Sequence, residues 1–370
     1  MEISFAVLLI FISIAILHVC IIYFIFPIQQ KKHLENQPAT APTKWPSLAI
    51  LVCARDEASH VKKFIPKLCT LPYPDLRVYV VNHQSIDLTQ HELNQLENEF
   101  ENLTTIDCLE DDPALPGKRT AIAAGLLQIK AEYILLTDAD CTPRNEEWPI
   151  RMMDVVKQTG AGIVLGISPY AKASGLLNQV IQFETFHTAM LYTAAAQAGR
   201  PYMAVGRNML IKRSLLEDNL KRSVIPGIVS GDDDLLINAV AHTANIQIET
   251  DSRTHVTTLP KTNWNDYFQQ KSRHASTAAF YRDSHKFILI LLYGTQAGLY
   301  LLFLLTLFTP YIWIALLVFS LRYFILSGIY HHRKNQLELK LNVIKFPIFE
   351  IILSLVSLKS VFSGTKKDQW

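Results

Sequence analysis

Two groups of carboxylates in this 370-residue sequence could do chemistry. Asp138-Ala139-Asp140 directly follows the apolar stretch Tyr133-Ile134-Leu135-Leu136-Thr137, with Cys141-Thr142-Pro143 behind it. Two carboxylates one residue apart at a strand end can both reach a hard divalent cation when the turn bends them inward, and that cation can clamp a diphosphate. A solvated turn would show the same residues, and the position after a buried strand is what favours the ligand reading. Gly231-Asp232-Asp233-Asp234 opens the helical pattern Leu235-Leu236-Ile237-Asn238-Ala239-Val240. Capping and dipole compensation account for about 1 kcal/mol at such a place. Three adjacent carboxylates exceed that need, and their repulsion together with partial burial raises one of them toward the range of a general base. A third segment, Trp264-Asn265-Asp266-Tyr267-Phe268-Gln269-Gln270-Lys271-Ser272-Arg273-His274, is amphipathic, basic and aromatic. Taken by itself, an interfacial helix anchored by Trp and Tyr explains it equally well.

The elements that must position these groups follow from periodicity. Leu48 to Ala54, Leu76 to Asn82, Thr104 to Leu109 and Tyr133 to Thr137 read as strands, and Glu57 to Leu68, Leu88 to Glu99 and Arg119 to Ile129 as helices between them. Three of the four strands are near-continuous apolar runs, as a parallel sheet buried on both faces requires. Alternation of this kind predicts a doubly wound α/β sheet with its ligands at the carboxyl ends of the strands.

Around this middle lie apolar runs. Ile3 to Pro27 is long enough to cross about 30 Å of hydrocarbon, and its exit, Gln29-Gln30-Lys31-Lys32, predicts a cytoplasmic end. Phe287 to Phe308 and Tyr311 to Tyr330 flank Thr309-Pro310 and precede His331-His332-Arg333-Lys334, which predicts a helical hairpin returning to the cytoplasm. Leu341 to Phe362 contains Lys345, Pro347, Glu350 and Lys359, and so reads as interfacial or re-entrant. Lys366-Lys367 favours a cytoplasmic C-terminus, and Arg322, inside the third run, is expected to snorkel to the nearby face. The predicted organisation is an N-terminal transmembrane helix at 1–27, a linker at 28–45, a cytoplasmic catalytic domain at 46–284, a transmembrane hairpin at 285–330, and an interfacial or re-entrant helix with its tail at 331–370.

Composition narrows the function. A hydrophobic fraction of 49% with 18% charged residues places part of the chain in lipid. A net charge of +2 without a basic, aromatic-interleaved stripe excludes a nucleic-acid partner. The five cysteines, Cys20, Cys53, Cys69, Cys108 and Cys141, have no paired Cys-x-x-Cys spacing and point to a reducing compartment.

In this order the motifs resemble membrane-anchored family 2 glycosyltransferases of the cellulose-synthase and ceramide-glucosyltransferase type, over roughly Pro46 to Ser276. Leu51-Val52-Cys53-Ala54-Arg55-Asp56-Glu57 is similar to that family's first strand and its "ARNE" turn, and Gly117-Lys118 with Ala121 and Gly125 to its "GK-x-x-A" segment. Asp138-Ala139-Asp140 matches the metal-binding Asp-x-Asp, Gly206-Arg207-Asn208-Met209 resembles the acceptor-side segment, Asp232-Asp233 the "ED" pair, and Gln270 to His274 the "QxxRW" motif. Two departures stand out: Asn82-His83-Gln84-Ser85-Ile86-Asp87 replaces "DDxSxD", putting asparagine where an aspartate contacts the nucleoside, and His274 replaces the tryptophan.

The resemblance implies a nucleotide-sugar-binding, A-type glycosyltransferase fold with flanking transmembrane helices, and a metal-dependent, inverting hexosyl transfer. In that reading Asp138 and Asp140 hold Mg²⁺ or Mn²⁺. Glu57, Asp87, Lys118, Asp138, Gln270, Arg273 and His274 contact the nucleotide sugar and its diphosphate, and Arg207 and Asn208 lie on the acceptor side. Asp233 is the base with Asp232 beside it, in a register the Asp run leaves open by one residue. The implied partners are a nucleotide-sugar donor, a lipid, lipid-linked or glycan acceptor of the cell envelope, and a plasma or inner membrane. A processive polysaccharide synthase subunit and a catalytically inactive scaffold homologue are the rival readings.

Overall fold

The structure, a computed structural model, describes residues 2–25, 45–241 and 243–362. Lys31, Lys32, Lys366, Lys367 and all of the predicted linker but Trp45 lie outside them. In chain order the elements are α1 (Glu2–Ile25), β1 (Leu48–Ala54), α2 (Ala58–Cys69), β2 (Arg77–His83), α3 (Thr89–Glu99), β3 (Leu103–Cys108), α4 (Lys118–Gln128), β4 (Tyr133–Asp138), β5 (Thr142–Pro143), α5 (Trp148–Thr159), β6 (Ile163–Leu165), α6 (Leu176–Gln197), β7 (Met209–Lys212), α7 (Arg213–Leu220), α8 (Asp234–Val240), β8 (Ile246–Ile248), β9 (Val256–Thr257), α9 (Trp264–Ala278), α10 (Asp283–Thr306), α11 (Ile312–Gln336) and α12 (Phe346–Phe362). The chain divides into two compact units.

The α/β unit takes residues 45–173 and 195–261, apart from His242. Its seven-stranded sheet has the order β3-β2-β1-β4-β7-β6-β8. β1 runs parallel to β2 and β4, and β2 to β3, while β7 is antiparallel to both β4 and β6. The sheet is therefore mostly parallel and reverses next to β4. All seven residues of β1 are buried, which is why that strand carries no polar alternation. Trp148, Met152, Val155 and Val156 of α5 close one side of the core against Leu135, Val164 and Leu210. α5 stops at Gly160, whose φ of +65° is the left-handed cap that a Cβ would strain. Thr142 and Pro143 pair with Thr257 and Val256, which ties the segment behind Asp140 to the end of the unit.

The helical unit gathers residues 2–25, Ser174–Ala194 and 262–362. Its α6 comes from the middle of the predicted catalytic stretch, and α9 from the end of it. α1, α10 and α11 are long and apolar enough to cross a membrane. α12 has 17 residues, short of the ~20 that a perpendicular span needs. Leu8, Phe11 and Ala15 of α1 pack with Leu299 and Ala315, and His18 Nδ1 lies 3.0 Å from Thr295 Oγ1.

Arg322 does not snorkel. It is 1% exposed, and its Nη2 pairs with Glu350 Oε2 at 2.8 Å. Tyr300 donates to the same oxygen at 2.7 Å and Tyr330 to Oε1 at 3.1 Å. The desolvation cost that drives snorkelling is offset by the Glu350 carboxylate of α12, itself held by hydroxyls from α10 and from α11. Glu350 therefore marks an inward face of α12, and its charge does not by itself assign that helix to an interface. Of the basic run closing α11, Arg333 is also buried, with Nη1 on Gln336 Oε1 at 2.6 Å.

Candidate active site

Leu136 and Thr137 near the end of β4 and Asp232-Asp233, which lead into α8, line one small cavity together with Cys53, Lys118 and Gly206; Asp138 is the last residue of β4. Lys118 opens α4, where Gly117 turns the chain at a φ of +70°. The Lys118 Nζ donates to Asp138 Oδ1 at 2.5 Å and lies 3.7 Å from Asp232 Oδ2. Burial works against this ammonium, but Asp138 and Asp232 outweigh it and hold its pKa well above the ordinary lysine value. Lys118 therefore stays charged and bridges the Asp-x-Asp turn to the second acidic cluster.

The two aspartates of that cluster differ. Asp233 Oδ1 caps α8 by accepting from Asp234 N at 2.8 Å, and Oδ2 accepts from Gly206 N at 2.8 Å. A Cβ on Gly206 would stand 3.1 Å from Asp233 Cβ, so any side chain there would press Asp233 away by a few tenths of an ångström. Burial and then Asp232 repulsion raise the Asp233 pKa above the usual carboxylate range, against the two N–H bonds and Lys118. Asp232 instead directs Oδ2 at Lys118.

Asp140 is held by Thr258, whose hydroxyl donates to Oδ2 at 2.8 Å, and Cys141 Sγ lies 3.2 Å from Oδ1. Ligand atoms of Asp138, Asp140 and Cys141 all fall within 4.8 Å of one another. Burial, then the charges of Asp140 and Asp138, push the Cys141 thiol well above its usual pKa. The two carboxylates are hard oxygen donors of the kind that suits Mg²⁺ or Mn²⁺.

The remaining predicted residues fall into three places. Glu57 pairs with His60; burial, the largest effect, raises its pKa, and Asp140 and Asp138 add to the rise. Asp87 spends its carboxylate on Ala58 N at 3.2 Å and on Thr89 N at 2.9 Å, tying the β2–α3 loop to the start of α2. Asn82 donates to Gln90 Oε1 at 2.6 Å and Asp107 Oδ1 at 3.2 Å, which gives the departure from aspartate a set of internal partners. Arg207 is fixed by Ser168, with Nε donating to Oγ at 2.7 Å, and lies over the Tyr170 ring. Asn208 is fully buried, with Nδ2 donating to Ile167 O and Thr254 O at 2.8 and 2.9 Å and Oδ1 accepting from Trp148 Nε1 at 2.9 Å. Its amide thus ties three segments of the fold together. Gln270, Arg273 and His274 lie on α9 in the helical unit. There Glu184 of α6 accepts from Tyr267 OH and pairs with Lys271, both at 2.7 Å, pinning one face of α9.

Sequence reasoning overlooks Thr258 and Arg119, and it places Gly206 in the acceptor-side segment without its contact to Asp233. No local pattern marks Thr258. Arg119 had a signal: α4 begins Lys118-Arg119 without an acid, against the helix dipole, so these cations need partners elsewhere.

Comparison with known proteins agrees with this geometry. The family model "Glycosyltransferase like family 2" matches residues 46–277. "Probable glycosyltransferase YdaM" of Bacillus subtilis is 26% identical over 225 residues, covering 56% of this chain and 52% of the relative. The "Beta-monoglucosyldiacylglycerol synthase" of Nostoc sp. is 32% identical over 97 residues, 26% of this chain and 20% of the relative. The chain thus spans about half the length, or less, of these curated relatives. Among solved structures, "Mannosyltransferase PcManGT from Pyrobaculum calidifontis in complex with GDP-Man and Mn2+" superposes with a TM-score of 0.63 at 16% identity, covering 98% of this chain and 99% of that one. At that identity the likeness concerns the fold.

Proposed function

Because the chain belongs to glycosyltransferase-like family 2, we propose that it is a membrane-bound, inverting, metal-dependent transferase that moves a sugar from a nucleotide donor to a lipid or lipid-linked acceptor. The observation that carries this reading is Lys118, which sits 2.5 Å from Asp138 and 3.7 Å from Asp232 and so bridges the Asp-x-Asp turn and the second acidic cluster. Asp138 and Asp140 would hold Mg²⁺ or Mn²⁺, which as a Lewis acid neutralises the leaving diphosphate. Lys118 adds a second fixed positive charge to that leaving group.

Asp232 takes the proton of the acceptor hydroxyl while its oxygen attacks the anomeric carbon. The bond from that carbon to the phosphate oxygen breaks, and the nucleoside diphosphate leaves. A single displacement inverts the anomeric centre. Assigning the base to Asp232 moves it by one residue from the sequence expectation, within the register left open there. The support is that both Asp233 oxygens are occupied by backbone N–H groups, whereas Asp232 faces the cavity cation. Glu57 and Arg207 both lie near enough to the Asp-x-Asp turn to interact with its charges. Relatives named as glucosyldiacylglycerol synthases support a lipid acceptor. A cytoplasmic α/β unit, where nucleotide sugars are made, completes the reading.

The test is a panel of nucleotide sugars offered to purified membranes with and without Mn²⁺, together with the Asp140→Ala variant. Mn²⁺-dependent turnover of one donor is expected. The variant should keep its melting temperature and lose metal-dependent donor binding in calorimetry. Unchanged donor affinity in Mn²⁺ would remove the metal assignment.

A further inference from the structure

Arg119 is fully buried, and among the described residues no carboxylate accepts from it. Its guanidinium is spent on the chain between α7 and α8. Nη1 donates to Val229 O at 3.1 Å, Nη2 to Ser230 O at 3.1 Å and to Ser223 O at 3.3 Å, and Nε to Ser223 Oγ at 3.4 Å. Ser223 Oγ in turn donates to Leu220 O at 2.7 Å, which locks that residue to the end of α7.

This segment has little internal structure to hold it. After a single 3₁₀ turn at Lys221–Ser223 it contains an isolated bridge between Ile225 and Ile228, and it passes through Gly227 and Gly231 at φ of +81° and +79°. Buried carbonyls that no strand or helix satisfies need another donor, and a planar fork with five N–H groups can serve several of them at fixed mutual angles. The segment ends at Asp232. Lys118, the residue before Arg119, reaches Asp138 and Asp232 from the same first turn of α4. One helix turn thus fixes the acidic cluster twice, through a side chain and through the backbone that leads into it.

We propose that Arg119 is a positioning residue for transfer: by clasping residues 223–230 it sets the reach of the Asp232 carboxylate, without contacting either substrate. The inference rests on the transferase reading above. Misplacing a catalytic group by about 1 Å costs on the order of 10²-fold in rate, whereas donor and metal binding rely on groups that Arg119 does not touch.

The experiment compares the full chain, purified in detergent, with Arg119→Met, which removes fork and charge, and Arg119→Lys, which keeps the charge but cannot span three carbonyls. Readouts are kcat and KM for the donor, donor affinity with Mn²⁺, and trypsin cleavage after the exposed Lys221 and Arg222. Both variants should lose roughly 10–100-fold in kcat, keep donor affinity, and be cut faster at Lys221 and Arg222. Wild-type kcat in either variant would overturn the proposal. So would a loss of donor affinity matching the loss of kcat, or melts showing both variants unfolded, since Arg119 would then serve binding or stability. If Arg119→Met alone fails to fold, Arg119→Lys decides. Absence of any donor binding or turnover in the wild type would overturn the transferase reading and this proposal with it; turnover with indifferent variants would sink only Arg119.

Discussion

Each unit buries a charged cluster, and the two clusters are built on opposite principles. In the helical unit Arg322 and Glu350 match one cation to one anion, with Tyr300 and Tyr330 filling the remaining carboxylate positions. In the α/β unit the carboxylates of Asp138, Asp140, Asp232 and Asp233 outnumber the cations that act on them, Lys118, Arg119 and Arg207. A balanced cluster is complete as it stands and holds helices together. An unbalanced one leaves anionic charge for a cation to meet, and such an excess marks a candidate functional site.

The comparison breaks most visibly at Asp232. If the surplus charge is there for chemistry, Asp232→Asn should lower transfer by about 10²–10⁴-fold, the scale for losing a general base, while donor affinity and melting temperature stay near wild type. Asp233→Asn should cost less, acting through the Gly206 contact and the α8 cap. Transfer rates and calorimetry of both variants decide, and a fully active Asp232→Asn beside an inactive Asp233→Asn would return the base to Asp233.

The balanced cluster should fail differently. Glu350→Gln leaves Arg322 buried without an anion and should destabilise the helical unit by about 3–5 kcal/mol. Replacing both with apolar residues of similar size should recover most of that. Thermal melts in detergent would show it, and a Glu350→Gln melt equal to wild type would end the structural reading of the pair.

A third cluster sharpens the contrast because it is balanced but partly open. Asp251 is held at a pKa of about 2, chiefly by its hydrogen bond from the Arg253 side chain, which outweighs burial, with Arg151 adding charge. An unfolded aspartate titrates near 3.9. Because the folded pKa is depressed, this contribution is present above about pH 4 and fades as pH falls toward 2. Asp251→Asn should therefore be slightly less stable at pH 7, and the difference should shrink below pH 4. Solvent screening keeps the effect small. A pH series of melts checks it: a gap that widens in acid would reverse the sign.

Much of this arrangement was legible beforehand. β1 to β4 with α2 to α4 follow from apolar runs and short connections, and observed ends lie within a residue or so of expectation, as with Leu76 to Asn82 against Arg77–His83. The sheet reversal was not legible, because β6 and β7 have three and four residues, too few to show a period. α6 escaped because Asn178, Gln182, Glu184 and His187 interrupt its apolar pattern, and the partners of Glu184, Tyr267 and Lys271, lie far away in sequence. Arg322 was misjudged for the same reason, since Glu350 is 28 residues away on another helix. The carboxylate site could be read because its residues sit at strand and helix ends, where local spacing constrains them. The backbone donors that separate Asp232 from Asp233 leave no trace in side-chain type.

The helical unit is assembled from three separated stretches of chain, and this has a consequence during synthesis. His18 meets Thr295 across 277 positions of sequence. At 5–20 residues per second the ribosome needs roughly 14–55 s to make that distance. For that interval α1 has left the ribosome with an imidazole meant for the bundle interior and no α10 to receive it. A lone polar group in hydrocarbon is costly, so an α1 that crosses a membrane would wait at the lipid boundary or in the care of the insertion machinery. The α/β unit is made in the meantime.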